Sequence, residues 1–436
     1  MEKKIIKNYF LILFSIIPLS IIIGPSASLI NILLIDLSFI IFLIYLKQFN
    51  VFEHYATKLL LLLYTYLIFN SFIALDFDLS AIRNFGFIRF IILFLSINYF
   101  FYNLQNIKII LFFWFIIIIV LIFDSYIERL FGANILGYGA RYIDGVEQPY
   151  ANRIVSFFKD EPIVGGFLSG FFLIIQGYLF KFYYKNNSTI KKVSIISLSI
   201  LFVGIIVLTG ERSNAIKSIL ALLIFYSFID SFSIKQKLKI FSLVFILFFC
   251  TLTYLLNVKK PPNIKKSYIV ERFGTQLFTN FSSIEKIKTF YNDSLYFRIY
   301  ESGFETFKAY PIFGVGNKNY RFETCKNNNK NPKYVCTTHP HQIYIELLSE
   351  HGLIGSIILL SIIFFLIYKS LQNIIKFKDP IQIGCFSYLI VNFIPLLPSG
   401  AFFGDFNSTI FWINFSLMYA SNSNTNSFKS LNIKLD

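Results

Sequence analysis

The sequence predicts an all-α, polytopic integral membrane protein of about twelve transmembrane helices. Three observations predict it. Apolar residues make up 56% of the chain, aromatics 19% and charged residues only 15%, a balance outside that of soluble globular domains. Apolar runs of about 17–22 residues recur, the length that carries a helix across ~30 Å of hydrocarbon. The runs are continuous Ile, Leu and Phe without the alternation of barrel strands, so they read as helices. Helices and closed barrels are the two structures that satisfy their own backbone in lipid.

The expected spans are 8–24, 28–47, 57–75, 84–101, 107–124, 162–181, 192–209, 213–230, 238–256, 342–367, 382–398 and 408–421. The basic start MEKKIIKNYF resembles the head of a signal peptide. A second span follows almost at once, however, and SAS at 26–28 is a poor cleavage site, so the first helix reads as uncleaved. Lysines set the orientation, because short cytoplasmic loops collect Lys and Arg. With the N-terminus inside, Lys3, Lys4, Lys47, Lys58, Lys108, Lys181, Lys185, Lys235, Lys369, Lys376, Lys429 and Lys434 all fall on the inner side. Both termini are then cytoplasmic. The chain divides into 1–256 (nine spans and a short outer loop at 125–161), an outer loop subdomain 257–341, and 342–436 (three spans and an inner tail).

The formal net charge is +16, and the outer loop 257–341 carries 14 Lys/Arg against 6 Asp/Glu. That balance suits an anionic partner at the membrane, such as lipid headgroups, phosphates or an acidic glycan. Nucleic acid is not expected on an outer face. Cys250 and Cys385 fall inside expected spans as packing thiols, while Cys325 and Cys336 share the outer loop, where an oxidising compartment allows a disulfide. No cofactor is implied. No metal site is expected either: DFD at 76–78 is a common accident as a metal motif, and the histidines lack zinc-ligand spacing.

Four stretches carry residues able to do chemistry. LTGERSNAI (208–216) interrupts an apolar run with Glu211 and Arg212, and Lys217 follows one turn on. Ionisable groups at membrane depth face a cavity or a partner, and a half-buried Arg keeps its charge and its forked donors, so Arg212 can hold a phosphate. The plainer alternative is that Glu211 and Arg212 cap and snorkel. RIVSFFKDEPIVGG (153–166) gathers Arg153, Lys159, Asp160 and Glu161 ahead of a span, and the acids and Pro162 suit a helix first turn. SLYFRIYESGFETFKAY (294–310) reads as a surface helix bearing Arg298. It stops at Pro311 before GVGNKNY, whose glycines suit a tight turn better than a phosphate loop. Last, CTTHPHQIYIELLSEHGLIG (336–355) places His339 and His341 around a proline, ahead of Glu346 and Glu350 at helical spacing. A histidine pair at the mouth of an apolar helix suits catalysis or substrate contact, whereas His351 reads as a packing residue and His54 as an inner-side one.

Taken in order, TGERS, R-x-x-S-F-F-x-D-E, R-x-x-E…YPIFGVG and HPHQIYIELLSEHGLIG closely resemble the O-antigen ligase/polymerase superfamily. The resemblance implies a GT-C-type membrane glycosyltransferase fold. It implies transfer of a glycan from undecaprenyl diphosphate to an acceptor hydroxyl at the periplasmic face of a bacterial inner membrane. Carried over by motif, His341 matches the family's catalytic histidine, Arg212 its intramembrane arginine and Arg298 its loop-helix arginine. His339 and Arg153 are looser matches. Lys217 joins the diphosphate-binding set, and Glu211, Gln342 and Glu350 support it. Gln342 stands where the family has Asn, keeping the amide but reaching one methylene further. The expected partners are a lipid-linked glycan donor, a lipid A–core or lipid-linked glycan acceptor, and the bilayer. The ligase reading leads, a polymerase joining lipid-linked repeats is its alternative, and a lipid-linked oligosaccharide flippase is the competing class.

Overall fold

The computed structural model describes residues 2–47, 49–101, 104–139, 142–143, 146–147, 153–184, 189–257 and 294–428. Residues 258–293 of the expected outer loop lie outside the described residues, as do Lys185, Lys429 and Lys434. In chain order the helices are α1 (Glu2–Ser15), α2 (Ile17–Ile23), α3 (Pro25–Leu46), α4 (Tyr55–Phe72), α5 (Phe77–Phe85), α6 (Ile88–Phe100), α7 (Leu104–Phe131) and α8 (Val164–Phe182). They continue as α9 (Thr189–Leu208), α10 (Arg212–Phe228), α11 (Ile234–Asn257), α12 (Leu295–Ala309), α13 (Tyr320–Asn327), α14 (Ile343–Phe377), α15 (Pro380–Asn392) and α16 (Asp405–Ala420). The described exception to helix is a two-residue antiparallel ladder, Tyr142–Ile143 with Val146–Glu147.

Among the described residues, six helical segments are long and apolar enough to cross a membrane: Pro25–Leu46, Phe77–Phe100, Asn106–Phe131, Val164–Phe182, Ile190–Leu208 and Ile343–Phe377. The pair Ile5–Ser15 and Ile17–Ile23, bent by 44° at a break ahead of Pro18, makes a seventh if it is one span. This is a multi-pass helical membrane protein. The other five expected spans are also helical, as α4, α10, α11, α15 and α16, but fall short of that combined length and apolarity. Polar residues account for part of the shortfall: α4 carries Lys58, Asn70 and Ser71, and α10 opens on Arg-Ser-Asn. α15 ends at Asn392, ahead of Pro395 and Pro398, where the expected span ran to 398.

The chain forms two compact units, each drawn from three stretches. The first comprises 1–31, 104–288 and 378–391. Its helices approach closely through small residues: a Cβ on Gly177 of α8 would meet the backbone of Pro380 and Ile381, and one on Gly384 of α15 the backbone of Leu173. Among its buried polar side chains, Gln176 Nε2 donates to Ser199 Oγ (2.9 Å) and Tyr226 OH (3.0 Å), which offsets part of the cost of burying the amide. Cys385 is buried, but Cys250 is exposed, so the expectation of two packing thiols holds for one. Cys250 lies on the outer face of α11, where a thiol can lie against lipid.

The second unit comprises 32–103, 289–377 and 392–436. α6 and α16 pack along their lengths through Phe87, Phe90, Trp412 and Phe415, with Phe87 edge-on to Trp412 at 5.2 Å. α12 lies on α14, its inward face formed by Ile299, Tyr300, Ser302, Gly303 and Thr306. Gly303 is required there, because a Cβ would strike Ile345 and Pro340.

Candidate functional site

The second unit builds its site at the start of α14. That helix is broken at Gly352, whose φ of 62° lies outside the helical range. The break frees backbone groups that the YPIFGVG turn takes up. Val315 N–H donates to Ser349 O (3.0 Å) and Gly316 N–H to Glu350 O (2.9 Å), while Leu353 and Ile354 N–H donate to Pro311 O and Ile312 O (2.8 and 3.1 Å). GVG is thus a turn with positive-φ glycines, as the sequence suggests, and the break at Gly352 is its receptor. Asn317 and Asn319 extend the clamp, through Asn317 Nδ2 to Asn84 Oδ1 (2.6 Å) and Asp76 N–H to Asn319 Oδ1 (2.7 Å). Asp76 of the DFD stretch caps α5 by accepting from Leu79 N–H at 3.0 Å, a structural use of that carboxylate.

On this frame sit the two histidines, with ring centroids 3.9 Å apart. His339 has both nitrogens engaged: Nε2 donates to Ser399 O (3.3 Å), which leaves Nδ1 to accept from Thr338 Oγ1 (3.0 Å). His341 is held by its backbone, its carbonyl accepting from Ser399 N–H at 2.8 Å, and its φ of 55° is unusual for a residue with a side chain. Tyr296 of α12 stands edge-on to its ring at 5.8 Å. Burial pushes the His341 pKa below the usual 6.5, and the Ser399 carbonyl opposes that fall. His339 is pushed further, to about 3, by burial first and then by the neighbouring His341, against the Ser399 carbonyl; Lys318 adds a smaller push the same way. Both rings are therefore neutral near pH 7.

Glu346 and Glu350 are buried beneath, each at 1% exposure. The Glu346 carboxylate accepts from Phe402 N–H at 2.9 and 3.0 Å, so it anchors the loop that carries Ser399. Gln342, the departure from the family pattern, caps α14: its Oε1 accepts from Ile345 N–H at 3.0 Å. Arg298 is exposed on α12, two residues from Tyr296. Lys318 is half-buried and acts electrostatically on His339, Glu346 and Glu350. Sequence reasoning missed Lys318 and gave Glu346 no role. The regular i, i+4 spacing of Glu346 and Glu350 was the available signal for the latter. Cys325 and Cys336 are joined in a disulfide, and Cys336 stands three residues before His339. His351 is fully buried against Tyr66 and Phe403, a packing role, and His54 caps α4.

A cavity of about 440 Å³ lies along α14, lined mainly by Tyr344, Leu348, Leu353, Ile357, Leu360 and Phe364, with Ser356 and Ser361 among them.

The first unit holds the other expected residues. Glu211 Oε1 accepts from Gly165 N–H (2.6 Å) and Oε2 from Gly166 N–H (3.2 Å), so this carboxylate fills the N-terminus of α8. The sequence suggested Asp160 and Glu161 for that first turn; both are exposed and α8 begins only at Val164. Burial raises the Glu211 pKa, and the Gly165 amide, Asn214, Arg153 and the Gly166 amide oppose it. Arg153 is half-buried beside Glu211, and Ile154 N–H donates to Thr209 O (3.4 Å), so 153–154 docks on the TGE segment. From the end of α7, Glu128 accepts from Val155 and Ser156 N–H (3.0 and 2.5 Å) and holds the same loop. Arg212 is half-buried at the first residue of α10. Lys217, one turn on, is 5% exposed.

Residues 197–360 match the family model described as O-antigen ligase. Over that segment the chain is similar to the O-antigen ligase family. No curated protein matches it. The O-antigen ligase segment contains Glu211, Arg212, Lys217, Arg298, both histidines, Gln342, Glu350 and the disulfide, whereas Arg153 precedes it. The superfamily resemblance read from the motifs is therefore confirmed over that segment.

Proposed function

We propose that this protein is an O-antigen ligase-like glycosyltransferase, which moves a glycan from undecaprenyl diphosphate to a hydroxyl of lipid A–core. In this reading it is a twelve-span GT-C-type protein of the bacterial inner membrane, with cytoplasmic termini and a periplasmic site. The observation that carries the reading is the division of labour between the histidines. His339 has both nitrogens hydrogen-bonded, and the neutral His341 beside it is the base.

The acceptor hydroxyl gives its proton to His341 as its oxygen attacks the anomeric carbon. The bond from that carbon to the diphosphate oxygen breaks, and the electron pair leaves with undecaprenyl diphosphate. Direct displacement inverts the anomeric centre. Arg212, Arg298, Arg153 and Lys217 take the developing diphosphate charge, which positioned cations in a partly dry site stabilise without a metal ion. Glu211, Gln342 and Glu350 act through the backbone they hold. The mainly apolar cavity along α14 suits the prenyl chain.

The test is reconstitution of purified protein with lipid-linked glycan, with and without lipid A–core and with no added metal, and product size read on a gel. Glycan on lipid A–core supports a ligase. Elongation of the lipid-linked chain without that acceptor makes the protein a polymerase. No transfer by wild-type protein, or full transfer by His341→Ala, overturns the assignment.

A further inference from the structure

Unit 2 contains a second cationic feature that the proposed mechanism leaves unused. Arg83, near the end of α5, and Arg89, at the start of α6, both donate to one oxygen of Asp405, Arg89 Nη2 at 2.5 Å. The two guanidiniums are largely covered, at 24% and 15% side-chain exposure, while Asp405 is 51% exposed. One carboxylate oxygen cannot occupy two five-donor forks. The shortfall is visible: Arg89 Nε is buried without a hydrogen-bond partner among the described residues. The other acid that acts on Arg89 is Asp36 of α3, which is 2% exposed, and no hydrogen bond joins them.

This cluster is tied to the histidines by one short loop. Ser399 meets His339 and His341, Phe402 meets Glu346, and Asp405 meets the arginines. Six residues of chain reach at most roughly 20 Å, so the arginines lie within reach of a short oligosaccharide placed at His341. Arg298, by contrast, rises from α12, which touches His341 through Tyr296. Two separate contacts of the same base thus lead to two separate cationic positions.

We propose that Arg83 and Arg89 form an acceptor subsite that binds an oxyanion, a phosphomonoester of the acceptor glycolipid, with Asp405 as the resident counter-ion that it displaces. Arginine forks recognise phosphate oxygens in pairs, and a half-exposed carboxylate is the member of the cluster free to yield. The subsite rests on the transferase reading only in naming the acceptor; its binding is measured without transfer.

Protein in nanodiscs is titrated with lipid A–core before and after phosphatase treatment, and separately with the undecaprenyl-diphosphate-linked glycan. Wild-type protein should bind the phosphorylated acceptor at least tenfold tighter than the stripped one. The double substitution Arg83→Gln/Arg89→Gln should bring that ratio within twofold and change donor affinity by less than twofold. Asp405→Asn, which removes the competing anion, should tighten binding of the phosphorylated acceptor severalfold, whereas a purely structural ion cluster would lose affinity or fold. Equal affinity for the two acceptors, a preference surviving the double substitution, or a matching loss of donor affinity overturns the subsite. Preference for phosphate with no glycan transferred by wild-type protein removes the transferase reading and leaves the subsite standing.

Discussion

Gly314 and Gly352 lie against each other's flanking backbone. A Cβ on Gly314 would meet the backbone of Glu350 and His351, and one on Gly352 that of Ile312 and Phe313. Both have positive φ, 70° and 62°. The break in α14 and the turn that fills it therefore depend on two residues that no other amino acid replaces without strain.

Gly352→Ala should lower stability by about 1–3 kcal/mol from backbone strain alone, with backbone collision adding to it. The check is the melting temperature in detergent. A Gly352→Ala protein that melts with wild type would mean that the break relaxes freely.

The two histidines should separate kinetically. His341→Ala should lower kcat by about 10²–10⁴-fold, the usual worth of a general base, with the protein still inserted and donor still bound. His339→Ala should cost less, because that ring positions its neighbour through the Ser399 carbonyl. Equal losses in single-turnover assays would contradict the division of roles.

A base works when neutral. His341 has its pKa below 6.5, so the neutral form persists to lower pH than for a free histidine. The acid limb of kcat/KM should therefore have its midpoint below 6.5, with a plateau through pH 7. A midpoint above 6.5 would require a base whose protonated form is favoured by its surroundings.

The disulfide between Cys325 and Cys336 closes a short loop just ahead of His339. Cross-linking a loop of that size stabilises by about 3 kcal/mol in the chain-entropy account. Cys336→Ser, or reduction of wild-type protein, should lower both the melting temperature and transfer, while Cys250→Ser should change neither.

Local patterns were legible in the sequence: apolar runs, the surface helix stopped by Pro311, and the histidine motif at a helix start all have physical signatures a few residues long. Partners far apart in the chain were not. Glu211 sits 46 positions from Gly165, whose amide it receives, and nothing near either residue announces the pairing. Asp160 and Glu161 looked right for that helix start because capping rules are local. Arg83 and Asp405 are 322 residues apart, and nothing near either residue announces the pair. The break at Gly352 was hidden because its neighbours continue an apolar helical pattern on both sides.

The backbone of His341 has a further use. At φ 55° it occupies the region where glycine rests without cost, and its carbonyl stays bonded to Ser399 whatever the side chain. His341→Gly should thus leave the chain path intact and open a ring-sized slot between His339 and Tyr296. Free imidazole supplied from solution would fit that slot, so an inactive variant could be switched back on by a small molecule. Partial recovery with imidazole, its strength tracking the basicity of substituted imidazoles, would report the proton transfer itself in a membrane-embedded site.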